Sequence, residues 1–306
     1  NEGIIRTVKL IEHSEPIVLV GIPESKIIDL MAGYVGLDIV SLLKSPTDDP
    51  RFDAISGATV TIRVIDDSII RSAIKVAREY GLGGLKTATA TRKASIREEL
   101  QQEKDWTDLV AEKSVTRLKL TTKEVDQSFS ENPTEEIADS GEVFIDLYLA
   151  QVSIPSIGLS MLGKAEYQNL TRKLKEGKQA IMVAAKGKYS FKGSGYVRGG
   201  IFDRFELVQG DDVIRFRDLH HKRLRRVAAE GAPQDFKEVD LFMIPEDVKL
   251  DLAQPWRFQL LVGREVEALE KVFRTFNLDY QVPSNYLNIE RLLPETSAQE
   301  VAAEFD

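Results

Sequence analysis

Residues 53–59 read Asp53-Ala-Ile-Ser56-Gly57-Ala58-Thr59, and Thr61 follows two positions later. Two hydroxyls and a carboxylate share seven positions with Ala54, Gly57 and Ala58, which have little or no side chain, and nothing bulky follows Ile55 until Val60. A hydroxyl is a weak nucleophile at its own pKa, so a base or a metal must remove its proton while the electrophile is brought within reach. With a phosphorus electrophile, Ser56, Gly57 and Ala58 leave room for a modifying enzyme's metal and diphosphate to reach Thr59. The phosphate of the product would then rest on backbone N–H groups of the glycine turn and on the hydroxyls of Ser56 and Thr61. Asp53 would repel that phosphate, which suits it to recognition or metal positioning during modification. A pattern of Asp, any two residues, Ser/Thr, Gly, Ala, Ser/Thr arises by accident in about one chain in a thousand of this size on average residue usage. That rarity favours a chemical meaning over the plainer alternative, an ST-turn leading into a strand.

Other polar groupings are less specific. "KGSGYVRGGIFDRF" is glycine-rich but fits no phosphate-loop pattern, and tight turns between strands explain it, with Arg198, Asp203 and Arg204 available to an interface. "RDLHHKRLRR" sets His220 beside His221; neighbours in a strand point apart and do not chelate one metal. The basic run after them reads as a solvated charged face or a docking patch. With three histidines and no cysteine, a metal centre is not expected, and thiol nucleophiles, thiolate zinc sites and disulfides are excluded.

The chain has 306 residues, 42% hydrophobic and 29% charged, the composition of a globular protein with one or two cores. Its 49 acidic residues against 41 basic ones give a net charge of -8, which offers no electrostatic footprint for nucleic acid or for an anionic membrane surface. The sequence opens without Met, a basic leader or a signal-type apolar stretch, and no run approaches the roughly 18 apolar residues of a spanning helix. A soluble piece of something larger is the expectation.

An α+β fold is expected, in which a small α+β domain is followed by a β-rich mixed one. "GIIRTVKLIEHSEPIVLVGIPE" reads as strands, "PESKIIDLMAGYVG" as a short helix and "LDIVSLLKSP" as a strand. "VIDDSIIRSAIKVAREYGLGG" predicts a helix with Ile69, Ala73, Val76 and Tyr80 along one stripe, Asp66 and Asp67 at its positive end and Gly81 as its stop. The glycine- and threonine-rich "LGGLKTATATRKAS" reads as a linker, so the boundary is set near residue 95, with domains 1–95 and 96–290 and a polar tail over 291–306. The second domain opens with a charged helix, "SIREELQQEKDWTDLVAEK", and a second at "TTKEVDQSFSEN". One helix, "SMLGKAEYQNLTRKLKEG", then lies among strands at "EVFIDLYLAQV", "KQAIMVAAKG", "FKEVDLFMI" and "WRFQLLVGRE", with a hairpin turning at Gly210-Asp211.

The 53–59 stretch resembles the flavinylation motif of covalent-FMN domains, found in subunits of the Nqr and Rnf redox pumps and in the NosR/NirI membrane flavoproteins. By that likeness Thr59 carries FMN through a phosphoester bond, transferred from FAD by a magnesium-dependent flavin transferase. His13, Glu15 and Pro16 in "HSEPIVLVGIP" resemble the loop that such domains lay over the isoalloxazine; a strand followed by a proline turn has the same residues. The likeness extends through "YVGLDIVSLLKSPTDD", "DSIIRSAIKVA", "GYVRGGIFDRFELVQ" and "PWRFQLLVGREVEALEKVFRTFNLDYQVPSNY", and these second-domain segments separate NosR/NirI from the pump subunits. The family's glycine-aromatic first strand is absent, as are its membrane helices and cysteine motifs. Iron–sulfur clusters are therefore expected only in an absent part of the full-length protein. The resemblance implies a periplasmic electron-transfer component of nitrous oxide respiration, not a stand-alone enzyme. Its implied partners are nitrous oxide reductase or its maturation proteins, and the membrane is reached through the absent part. A sensory or assembly module, or a subunit of a redox pump, are the alternatives.

Overall fold

The computed structural model describes residues 3–9, 11, 24–44, 59–85, 92–130, 140–175, 177–193, 200–246, 248–267 and 270–291. The fold is α+β, with helices and antiparallel sheets, as expected. The chain divides into two compact units, one of Asn1–Thr87 with Gly210–Val213 and Leu260–Phe276, the other of the remaining residues.

In the first unit, helices α1 (Glu24–Ala32), α2 (Ile39–Lys44) and α3 (Thr59–Glu79) enclose a core around Leu30 and Tyr34, against which Ile5, Val8, Leu37, Ile65, Ile69 and Ile70 pack. The N-terminal stretch is held to the α1–α2 connection by Ile5 N–H to Leu37 O (2.9 Å) and Ile39 N–H to Gly3 O (2.8 Å). Its one bridge, Ile4 with Asp38, replaces the ladder expected over residues 3–9.

The strand expected at "LDIVSLLKSP" is instead α2. Asp38 caps it, accepting from the backbone N–H groups of Val40 (2.9 Å) and Ser41 (3.3 Å) and from the Ser41 hydroxyl (2.7 Å). A short apolar run has no period that separates strand from helix, so the capping aspartate decides.

Helix α3 is longer than expected, starting at Thr59 and ending where Gly81 takes a left-handed φ of 63°. Its buried face runs through Asp66, Ile74 and Ala77, whereas Val76 and Tyr80 of the expected stripe are 49% and 72% exposed. The stripe is rotated by about one residue, or 100°. Nor is Asp66 at the positive end of the helix; it lies about two turns in.

The second unit is organised by a five-stranded antiparallel sheet in the order β2 (Val115–Thr121), β3 (Val143–Ala150), β4 (Ala180–Gly187), β8 (Glu238–Met243), β7 (His221–Arg223). Strands β3 and β4 are buried along most of their length, as central strands covered on both faces must be. Strands β5 (Phe205–Gln209) and β6 (Asp212–Ile214) form the expected hairpin, with Gly210 at φ 57°. Their turn, Gly210–Val213, belongs to the first unit, as does Leu260–Phe276 of β9 (Trp256–Glu267) and β10 (Glu270–Tyr280); the strand order is β10, β9, β5, β6.

Two expectations in this unit are corrected. The charged helix over "SIREELQQEKDWTDLVAEK" is confined to α4 (Trp106–Ala111), capped by Asp105, while Arg92–Ile96 is strand β1. Between them, Gln102 and Lys104 donate their N–H groups to the hydroxyls of Ser156 (3.1 Å) and Ser160 (2.8 Å), tertiary partners that replace helical ones. The single helix expected over 160–177 is two, α6 (Pro155–Leu162) and α7 (Lys164–Lys173), broken at Gly163 with φ 76°. Strand β11 (Leu287–Arg291) pairs with β1 in the register Ala94 to Ile289. Helix α5 (Thr122–Phe129) stands where expected and begins with a capping box of Thr121 and Glu124.

Candidate functional site

His13, Glu15, Pro16, Asp53, Ser56, Gly57 and Ala58 lie outside the described residues, as does Arg198. Thr59 and Thr61 fall in the first turn of α3. The Ser-Gly-Ala-Thr run thus leads into a helix, where the plainer alternative expects a strand.

That placement has electrostatic content. The first four N–H groups of a helix have no intrahelical acceptor, and the aligned peptide dipoles put about half a positive charge at that end. The first turn of α3 contains no acidic residue to oppose a phosphate there. The residues present therefore fit a phosphoester at position 59, which would rest on first-turn N–H groups that have no acceptor within the 21-residue helix.

A buried hydrogen bond fixes α3. Position 66 is seven residues beyond position 59, and seven residues are nearly two whole turns, so the two positions share a helix face. Asp66 is buried there and accepts a hydrogen bond from the Tyr34 hydroxyl at 2.8 Å, with Tyr34 itself fully buried. A buried carboxylate is costly unless it is hydrogen-bonded, so this contact pins the face of α3 that bears position 59 to the end of α1. The sequence reading used Asp66 as a dipole partner and did not use Tyr34. An acid on the apolar side of a helical wheel was the available signal.

No family model matches the chain, and no solved structure gives a significant match. Among curated proteins it is 40% identical to the regulatory protein NosR of Stutzerimonas stutzeri and 39% identical to NosR of Pseudomonas aeruginosa, in each case over 99% of its length. It is 27% identical over 93% of its length to the protein NirI of Paracoccus denitrificans. The chain belongs to the NosR/NirI family. It spans 42% of the first NosR, 43% of the second and 40% of NirI. The relationship to NosR runs through both compact units, so the second unit is as much a part of the family's architecture as the first. Among the described residues, no helix is long and apolar enough to cross a membrane.

In this NosR/NirI chain the second unit contains a buried polar cluster that sequence reasoning did not anticipate. Asp240 on β8 is fully buried, and its Oδ1 lies 2.6 Å from His221 Nε2 and 3.1 Å from Lys192 Nζ. Lys192 also stands 2.9 Å from Oδ2, an ionic contact without the alignment of a hydrogen bond, and 3.6 Å from Glu238. Phe202 and Phe242 pack against the His221 ring at 5.0 Å, within an aromatic cluster that includes Phe191, Phe205, Phe216 and Phe258.

His220 and His221 do separate, as expected of neighbours. The Nδ1 of His220 accepts from the Arg217 N–H (3.1 Å), closing a short turn, whereas His221 turns inward. Among the described residues no group of three His, Asp or Glu side chains could hold a metal. The Asp203 carboxylate lies close to Gly193, and Arg204 donates to Ser190 O (2.9 Å) and stacks over Tyr189 at 4.5 Å.

Proposed function

We propose that this chain is the flavin-bearing electron-transfer part of a NosR-type protein, with FMN joined by a phosphoester to Thr59. The observation that carries the reading is the start of α3 at Thr59, directly after the small-residue run 56–58, in a first turn free of acids. Ser56, Gly57, Ala58 and Thr61 would cradle the phosphate, Asp53 would address the flavin transferase, and His13, Glu15 and Pro16 would border the isoalloxazine. Bound there, FMN would supply reversible one- and two-electron chemistry, and the chain would supply anchorage, orientation and the polar groups that set the flavin's potential. A covalent tether suits a compartment in which a lost cofactor is not replaced, in keeping with the periplasmic side of the membrane. The names of the relatives support a role in nitrous oxide or nitrite respiration; nitrous oxide reductase or its maturation proteins are the partners this reading proposes.

The decisive experiment expresses the chain with its flavin transferase in an exporting host and denatures the product. Yellow fluorescence that stays with the polypeptide, and is lost in Thr59→Val, is the expected result; flavin released on denaturation, or none bound, would refute the attachment. A second reading, a sensory or assembly module, is favoured by the word "regulatory" in the relatives' name. A tethered flavin that no respiratory donor reduces would select it.

A further inference from the structure

Strand β7 is the last strand of the five-stranded sheet, and among the described residues no strand lies beyond it. Its pairing with β8 fixes which backbone groups face outward. Leu224 N–H donates to Val239 O at 2.7 Å, continuing the register in which Arg223 opposes Asp240. In an antiparallel pair the hydrogen-bonded positions alternate, so the N–H and C=O of Arg223 point away from β8, toward the open edge.

Exposed cations stand on the strand and directly after it in the chain. Arg223, Arg225 and Arg226 are exposed, and none forms a salt bridge among the described residues. In a chain of net charge -8 such a row is not a consequence of composition. Beside it opens a cavity of about 330 Å³, whose apolar lining comes from Leu170 of α7, Leu241 and Met243 of β8, and Leu219. Leu219 is 70% exposed, and Lys173 and Lys222 stand at the same cavity, Lys222 paired with Glu166.

We propose that the β7 edge is a docking site for an extended, acidic segment of a partner protein, which adds as a strand beside Arg223 and places an apolar side chain against Leu219, Leu241 and Met243. Each part of the surface selects a feature of that ligand. The outward peptide groups select an extended backbone, the arginine row selects carboxylates, and the cavity selects one aliphatic or aromatic residue. The outward peptide groups of β7 favour an extended backbone over a compact anion filling the cavity alone.

The test uses the intact chain and a panel of acetylated ten-residue peptides that alternate Glu or Asp with Leu, Ile, Val or Phe, followed by fluorescence anisotropy. At least one panel member is expected to bind saturably and to weaken about tenfold or more in the Arg223→Glu/Arg225→Glu/Arg226→Glu variant, as charge reversal at an electrostatic interface requires. Leu219→Asp should weaken it without altering these charges, and N-methylation of alternate peptide nitrogens should abolish it. The variants alter exposed side chains, and circular dichroism checks their folding. The proposal is overturned if no panel member binds or if the charge-reversed protein binds equally well. Equal binding of polyglutamate, undiminished binding of the N-methylated peptide, or tighter binding of phosphatidylglycerol vesicles or duplex DNA would overturn it too.

Discussion

Replacing Asp240 by Asn should remove a charge on which two other buried groups depend. The carboxylate is fully buried, and Lys192 and His221, at 14% and 11% side-chain exposure, both converge on it. Removing one partner of a buried ion pair costs about 3–5 kcal/mol, because the remaining charge stays desolvated without its counter-charge. Lys192 keeps a second carboxylate, Glu238 at 3.6 Å, which places the loss near the lower end, about 3 kcal/mol. At roughly 2–4 °C per kcal/mol for a unit of about 150–250 residues, the melting temperature should fall by about 6–12 °C. Far-ultraviolet circular dichroism reads the melt, and urea titration with an unchanged slope confirms that the native state, not the denatured one, has been altered. Lys192→Met and the double variant complete a cycle in which the two changes should cost at least about 1 kcal/mol less together than separately. If Asp240→Asn stays within about 0.5 kcal/mol of the parent, the range of an ordinary surface change, and the cycle is additive, the cluster does not hold this part of the sheet together.

Gly158→Ala should destabilise the α6–α7 pair, since an added Cβ would lie 2.3 Å from Val152 O and 2.4 Å from the Tyr167 ring. Overpacking of this kind costs about 1–3 kcal/mol, more than the gain of up to about 1 kcal/mol in helix propensity, and a lowered melting temperature is the readout. Burial pushes the Glu112 carboxyl upward, but hydrogen bonds from Lys104, Ser114 and Tyr286 and the Lys104 charge outweigh it and hold Glu112 below the ordinary range. A lowered folded-state value means that the stabilisation is present above the unfolded value of about 4.3 and is lost as pH falls below it. Glu112→Gln should therefore flatten that part of the acid-unfolding curve followed by circular dichroism. In alkali, burial holds Tyr167 and Tyr189 up to about 12 and raises Tyr148, Tyr280 and Tyr286 as well. Tyrosinate absorbance of the folded protein should accordingly rise in two stages, with these five in the later one. Full ionisation near pH 10 while the protein is still folded would contradict their burial.

Some of this protein is written in local sequence. The 53–59 pattern stands out in the sequence because the proposed modification would need only a hydroxyl with small neighbours, which consecutive residues supply. The central strands, the Gly210 turn and the Thr121–Glu124 capping box are legible for a similar reason: side-chain alternation, positive φ and cap geometry are short-range properties. Other features needed the tertiary structure. Asp66 looks like a dipole partner until Tyr34 is seen beside it, and Arg92–Ile96 reads as part of a helix until Leu287–Arg291, almost two hundred residues away, supplies its hydrogen bonds. The convergence of Lys192, His221 and Asp240 has no local signature, because each lies on a different segment and only the β7–β8 register and the aromatic packing bring them within reach. Sequence alone determined the groups with chemistry to offer. Burial and pairing between distant segments determined which partner each would meet, since a desolvated charge or an unpaired peptide group is satisfied only by what the fold places against it.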